Sequence, residues 1–262
     1  MKLKNRCAIL VLSCDKYSSL WKPFFIQFRK YWKDNPYKVY LGSNTVRCTC
    51  DKGVKTILSG NQGDWSSNLL TILNQIPEEY VFIWLEDLFL TEKVNAALFH
   101  KSFNFMESQN ANHIHFAPTI RPDEISKNAL FGIYGKKAPY RVSAVGFWNR
   151  EHLKHILFSG ETPWQFEIFG SYRSSFFDGY YCIRKNLFNF IQIVERGKIF
   201  REAYEYCDKH NIELNMKGWQ IHTKFHRVKS DINRFIFHGI IFVPWQIRLF
   251  LMEILRKMLA TY

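Results

Sequence analysis

The sequence predicts an α/β fold: a single domain with a central, mainly parallel sheet flanked by helices, followed by an amphipathic helical tail. Three observations predict it. Apolar runs of strand length, CAILVLS at 7–13 and YVFIWL at 80–85, are continuous rather than alternating, as in strands covered on both faces. Between such runs lie longer stretches whose apolar residues recur at helical spacing. Each strand run ends in small or polar residues, where connections to the helices begin.

Taken in order, the run 7–13 is the first strand. Ser18 or Ser19 then caps a helix whose apolar face is Leu20, Trp21, Phe24, Phe25, Phe28, Tyr31 and Trp32, and Asn35-Pro36 stops it. Strands at Tyr37 to Leu41 and Val54 to Leu58 follow, ending at Gly42-Ser43-Asn44 and Ser59-Gly60. Asp64 precedes a second helix carrying Trp65, Leu69, Leu70, Ile72, Leu73 and Ile76 on one face, closed by Pro77. The strand ending in Leu85-Glu86-Asp87, a helix at about 93–108 and a strand from His113 to Ala117 continue the alternation. Downstream, residues 140–157 read as strand, turn and helix, and Pro163 opens another helix.

Such an order puts the ligand crevice outside the carboxyl ends of the strands. The polar residues gather at those ends: Ser13, Cys14, Asp15 and Tyr17 after the first strand, Asn44 after the second, Asp64, Trp65 and Ser66 after the third, Glu86 and Asp87 after the fourth. Asp15 suits hydrogen bonds from a base or ribose, with Tyr17 stacking on the ring. Asp64 equally fits a plain helix cap. Two acids at a strand end suit a divalent cation, Mg²⁺ or Mn²⁺, held against a diphosphate, and Asp87 is the metal candidate; both acids also fit an ordinary turn. In GETPWQFEIFGS an aromatic, Trp164, lies near Glu161 and Glu167, the pairing that binds sugar faces and hydroxyls. Glu167 is the candidate general base, and a surface helix with an N-terminal acid is the plainer alternative. Arg141, Arg173 and Lys185 are candidate cations for a diphosphate. His113 and His115 share a strand face, which suits a metal pair or a structural role, while His222 and His226 are spaced to share a helix face that would reach the diphosphate or metal, or form a solvated basic face.

The 262 residues carry 47% hydrophobic and 17% aromatic side chains, which excludes disorder. Neither GxGxxG nor GxxxxGK[ST] occurs, which counts against dinucleotide and P-loop enzymes. Cysteines 7, 14, 48, 50, 182 and 207 show no CxxC pair and read as reduced thiols in a cytosol. The apolar run after Lys2, Lys4 and Arg6 lacks a small-residue cleavage site, so a cytoplasmic protein is expected.

The succession CAILVLSCDKY, YKVYLGSN, GDWSSNLL, YVFIWLEDLFL, YRVSAVGFWNREHL and ETPWQFEIFGS resembles bacterial GT-A-type glycosyltransferases of capsule and O-antigen assembly, over most of residues 7–197. The resemblance implies a nucleotide-sugar donor, a metal-assisted displacement at the anomeric carbon, and a glycan or lipid-linked acceptor. By position it sets Asp15 and Tyr17 at the nucleoside, Glu86-Asp87 where the family has its DxD motif, and Glu167 as base. LED departs from DxD in having adjacent acids, so a metal-independent reaction stays open. A separate base favours inversion. On this reading residues 1–118 form the nucleotide-sugar half, 119–233 the acceptor half, and 234–262 the tail.

The formal charge of +13 calls for an acidic partner. Residues 217–262 hold eight cations against two acids, and Phe235 to Tyr262 mixes apolar blocks with Arg248, Arg256, Lys257 and Trp245. That composition suits an interfacial helix on an anionic membrane, peripheral on its inner face, rather than nucleic acid, for which no module is present.

Overall fold

The computed structural model describes residues 6–60, 63–116, 121–195 and 197–222, with single positions 239, 243, 244, 247, 250, 251 and 254 beyond them. The chain divides into two compact units, Met1–Ile191 and Gln192–Tyr262. The boundary expected from the sequence, 233/234, lies outside the described residues.

The first strand, β1 (Cys7–Leu12), is buried at every position, as its unbroken apolar run requires. Parallel to it lie β2 (Lys38–Ser43) and β4 (Tyr80–Leu85), with β3 (Val54–Leu58) beyond β2. The short β5 (Leu88–Leu90) follows the turn at Glu86-Asp87, and Trp84 Nε1 closes that turn by donating to Leu88 O at 2.8 Å. Beside β1 to β4, the same sheet also holds β6 (His113–His115), β7 (Glu124–Ile125), β8 (Phe131–Ile133), β9 (Gly146–Asn149) and β10 (Tyr180–Ile183). Nine described strands make one sheet in the order β3-β2-β1-β4-β9-β6-β10-β8-β7. The β9 strand runs antiparallel between β4 and β6, and β8 and β7 form an antiparallel edge beside β10. Sequence reading alone did not show the reversed β9, because GFWN has nothing that marks its direction.

Helices cover both faces. On one side α1 (Trp21–Tyr31) packs near β5 and α3 (Ala96–Ser108) near β6. Their rings meet the sheet in one aromatic cluster: Phe82 lies 4.6 Å from Phe147 and 5.1 Å from Phe99, and Trp84 stacks on Phe116 at 5.2 Å. Each ring so buried contributes about 1.5–3 kcal/mol relative to exposure. On the other side α2 (Trp65–Leu73) packs against α4 (Arg150–Ile156) and α5 (Pro163–Arg173). There Trp148 stacks on His113 at 3.9 Å and lies 6.2 Å from Phe166, itself 5.5 Å from Trp65.

Several local expectations are corrected. Neither Ser18 nor Ser19 caps α1: a 3-10 helix, Asp15–Leu20, runs straight into it, and Leu20 makes no side-chain cap bond. The third helix starts only at Ala96, where the Asn95 side chain accepts from Leu98 N. No strand precedes Gly146 in the stretch 140–145.

In the second unit, α6 (Arg201–Lys209) accompanies short strands Val194–Glu195, Lys198–Ile199 and Gln220–Ile221. His222 follows a strand, not a helix face, and its ring stacks on Phe200 at 5.0 Å. His226 and most of the tail lie outside the described residues. No helix among the described residues is long and apolar enough to cross a membrane.

Candidate functional site

The sheet order creates a switch point at β1: the chain moves outward to β2 and β3, then returns to its other side as β4. Open α/β sheets take their ligands outside the carboxyl ends of the strands at such a point, which here means β1 and β4. Ser13 and Cys14 leave β1 there, and Glu86-Asp87 leaves β4.

These groups act on one another. Ser13 Oγ accepts from Trp21 Nε1 at 2.8 Å and also hydrogen-bonds the Glu86 side chain. Glu86 is buried, and burial first, then the neighbouring Asp87 charge, push its carboxyl well above the ordinary range. The half-buried Tyr17 phenol is pushed up to about 12 by burial and then by the charges of Glu86, Cys14 and Asp87. Residues 14, 17, 86 and 87 therefore share one electrostatic environment, with Asp87 half-buried. The two acids form a poor cage for a cation on their own, and no cluster of three or more His, Cys, Asp or Glu side chains suited to a metal occurs among the described residues. One or two carboxylates suffice only for a cation that keeps most of its waters and takes further oxygens from a bound phosphate.

Asp15 takes a different part from the one read in the sequence. Its carboxylate accepts from the backbone N–H groups of Asn44, Thr45 and Val46 at 3.0–3.1 Å, and from the Thr45 hydroxyl at 2.5 Å. Burial opposes its ionisation, but these bonds outweigh it and hold the carboxyl below its usual range. Asn44 answers by accepting from Asp15 N at 3.2 Å and reaching Ser59 Oγ at 3.4 Å. The pair locks the ends of β1, β2 and β3 together.

Asp64 caps α2, its side chain accepting from Ser67 N at 3.0 Å, from Ser67 Oγ at 2.8 Å and from Ser159 Oγ at 3.3 Å. Against the cost of burial, bonds from Ser67 and Gly160 lower its carboxyl to about 2. Ser66 is buried and donates through N and Oγ to Glu161 O at 3.3 and 3.2 Å. These residues latch α2 to the loop before α5. Half-buried Trp65 lies against Phe166, one residue from Glu167.

Thr162 and Gln165 close a capping box at the start of α5, with Pro163 in its first turn. Trp164 is 56% exposed, so its ring is free to face a solute. Glu167, half-buried, is held from the loop before β9: Ser143 Oγ and Ala144 N both donate to Oε1 at 3.1 Å. The register Ile83↔Gly146 puts that loop at the same end of the sheet as Glu86-Asp87. Burial pushes Glu167 up, and the bonds from Ala144 and Ser143 pull part of the way back. Behind Ser143, His113 Nδ1 faces Phe147 O at 2.9 Å. A carbonyl only accepts, so Nδ1 carries the proton and Nε2 accepts from Ser143 N at 3.4 Å. Burial keeps this imidazole neutral by lowering its pKa far below the usual value. Nothing in the residue pattern singles out Ser143 or Ala144; the one local mark is the glycine at 146, whose φ of +124° lets the chain turn sharply there.

The cation candidates are corrected in part. Arg141 is fully buried, its guanidinium 4.0 Å from the Tyr180 ring and donating to Ser174 O and Phe177 O, so it holds the core and meets no phosphate. Arg173 forms a two-pronged pair with the buried Glu161, at 2.7 and 2.6 Å, so its charge is already matched by a carboxylate instead of a diphosphate. Lys185 is exposed. His115 is buried at the end of β6, and its Nδ1 has no partner.

No family model matches the chain, and no curated protein matches it. Among solved structures it is similar to TarS of S. aureus, at 11% identity and a TM-score of 0.49, over 73% of this chain and 37% of that one. A second similar structure is TarS 1–349 in complex with UDP-GlcNAc, at 16% identity and a TM-score of 0.43, over 69% of this chain and 59% of that one. A third is a putative nucleotide-diphospho-sugar transferase from Desulfovibrio desulfuricans G20, at 8% identity and a TM-score of 0.43, over 72% and 83% respectively. The chain thus spans well under two thirds of the length of the TarS structures.

Proposed function

We propose that this chain is a glycosyltransferase that binds a nucleotide-sugar donor at the carboxyl ends of β1 and β4 and transfers the sugar to a hydroxyl of a glycan or lipid-linked acceptor. The observation that supports it most is that one end of the sheet carries both an acid pair at the end of β4 and the half-buried carboxylate of Glu167, held through Oε1. In this reading Tyr17 faces the nucleoside, while Asp15 and Asn44 shape that side of the crevice by locking the strand ends. Asp87, with Glu86 behind it, would hold a divalent cation. Such a cation, when bound, supplies positive charge to the departing diphosphate.

Glu167 takes the acceptor hydroxyl proton through Oε2. A carboxyl raised by burial is a stronger base than a solvated one and still ionises once its hydrogen-bond donors are in place. Trp164 and Trp65 offer ring faces for the acceptor sugar. A base separate from the donor acids is the arrangement of direct, inverting displacement. The basic tail after residue 233 would keep the enzyme at an anionic membrane surface where lipid-linked acceptors lie.

The test is a panel of nucleotide sugars, UDP-GlcNAc among them, scored by thermal shift with and without Mn²⁺. The best donor is then assayed for transfer with Asp87→Asn and Glu167→Gln. Expected are loss of Mn²⁺-dependent donor binding in the first variant and loss of transfer with donor binding kept in the second. Absence of any nucleotide-sugar shift overturns the reading, and binding without turnover in the wild type reduces the protein to a nucleotide-sugar binder.

A further inference from the structure

The loop between β2 and β3 carries Cys48 and Cys50, whose sulfurs lie 2.8 Å apart. Cys50 is exposed and Cys48 half-buried, whereas Cys7, Cys182 and Cys207 are buried. A disulfide spans ~2.05 Å, so closure requires the two sulfurs to approach by less than ~1 Å. The backbone around them is already pinned. Asp15 grips residues 44–46, Cys48 N donates to Thr56 Oγ1 at 3.0 Å, and Arg29 pairs with Asp51 through contacts of 2.6 and 3.1 Å. Gly53 N also donates to Asp51, at 2.7 Å. Closure is thus a matter of side-chain rotation, with the chain on either side held in place.

We propose that Cys48 and Cys50 are a modification site: a dithiol that closes to an intramolecular disulfide by exchange with small-molecule disulfides and reopens in excess thiol. In the forward step the thiolate of one cysteine attacks a sulfur of an external disulfide such as glutathione disulfide. A mixed disulfide forms and one glutathione thiolate leaves. The second cysteine, having lost its proton to solvent, attacks the protein-bound sulfur and expels the second glutathione. The protein loses two electrons and two protons, and the external disulfide is reduced to two thiols.

The spacing decides what kind of bond results. A bridge between residues two apart closes a very small loop, so it removes little entropy from the unfolded chain and adds little stability. A bridge at the surface also sits at the easily reduced end of the scale, where labile rather than structural disulfides are found. Burial, then the hydrogen bond with Cys48, push the Cys50 thiol up to about 12, so closure is slow at neutral pH and accelerates as pH rises. The bridge lies on the same loop as Thr45 and Val46, which hold Asp15, and it therefore stiffens the side of the crevice formed by β2.

The experiment uses the full chain, equilibrated at alkaline pH in glutathione buffers of graded oxidised-to-reduced ratio, quenched with N-ethylmaleimide and digested with trypsin. Arg47 and Lys52 bound a peptide that holds both cysteines. The expected result is a peptide lighter by two hydrogens and unalkylated in oxidised buffer, and doubly alkylated after dithiothreitol. Cys50→Ser should instead retain glutathione on Cys48 that the wild type resolves. Two alkyl groups on the wild-type peptide at every ratio, or a lasting glutathione adduct on it, would overturn the proposal.

Discussion

Asp15 and Asn44 hold each other across the ends of β1 and β2: Asn44 N donates to Asp15 Oδ1 at 3.1 Å, and Asp15 N donates to Asn44 Oδ1 at 3.2 Å. The carboxylate also gathers Thr45 and Val46, so one side chain organises the whole turn after β2. Asp15→Ala therefore leaves three N–H groups to water, and the turn loosens. The expected outcome is a modest loss of stability, about 1 kcal/mol as for other lost caps, with a larger loss of donor affinity. Urea denaturation and nucleotide titration read the two separately. Unchanged donor affinity would separate this turn from the crevice.

Asp64 makes stability depend on acid. Its folded-state carboxyl lies at about 2, below the ~3.9 of an unfolded chain. A depressed carboxyl contributes stability that is fully present above the unfolded value and is lost as pH falls through the folded one. Asp15 and Asp51 are lowered as well and act in the same direction. Melting temperatures measured from about pH 5 down to about pH 2, across the interval between the unfolded and folded carboxyl values, should fall for the wild type and fall less steeply for Asp64→Asn. Parallel curves for the two proteins would show that the cap carries no such linkage.

Much of this was legible in the residues, and the reasons for the rest are specific. CAILVL and YVFIWL announced buried strands because both faces of the sheet are covered, and Asp64 and Pro163 marked the helix starts the structure has. Glu161 was not legible as half of an ion pair, because its partner Arg173 is a full helix away and only the fold brings them to 2.6 Å. The bonds that Asp15 makes were not legible for a related reason. Its partners are backbone N–H groups near residue 45, which no side-chain pattern records. The link between Glu167 and the end of β4 depends on β9 running antiparallel, a matter of topology rather than of local sequence.

Gly146 is where that topology is tightest. With φ +124°, a Cβ there would stand 2.6 Å from Ile114 O and 3.1 Å from His113 Cε1. Neither the backbone of β6 nor the stacked His113 ring can yield easily, and the positive φ adds strain for any L side chain. Gly146→Ala should cost at least ~1–3 kcal/mol and disturb the loop that holds Glu167. Denaturant melts check the first effect. Wild-type stability in this variant would contradict the packing described between β6 and β9.

Ser143 sets the ionisation of Glu167, and its removal has a sign that can be worked out. Burial raises the Glu167 carboxyl, while the Ala144 N–H and the Ser143 hydroxyl, both bonded to Oε1, lower it. With Glu167 as the proposed base, the carboxyl must be ionised to accept the acceptor proton, so the proposed transfer should speed up as pH rises through this pKa. Ser143→Ala deletes one of the two lowering bonds and leaves the other. The acid limb of kcat should therefore move to higher pH, with the rate approaching that of the wild type above the limb and donor affinity unchanged. Glu167→Gln keeps an acceptor oxygen for Ala144 N but has no ionisable group, so it should show no such limb and a fall in kcat of ~100-fold or more. Transfer assays across pH for the three proteins decide the matter. If Ser143→Ala lowers the rate equally at every pH, the hydroxyl shapes the site without setting the charge of Glu167. If Glu167→Gln keeps the wild-type profile, the base lies elsewhere.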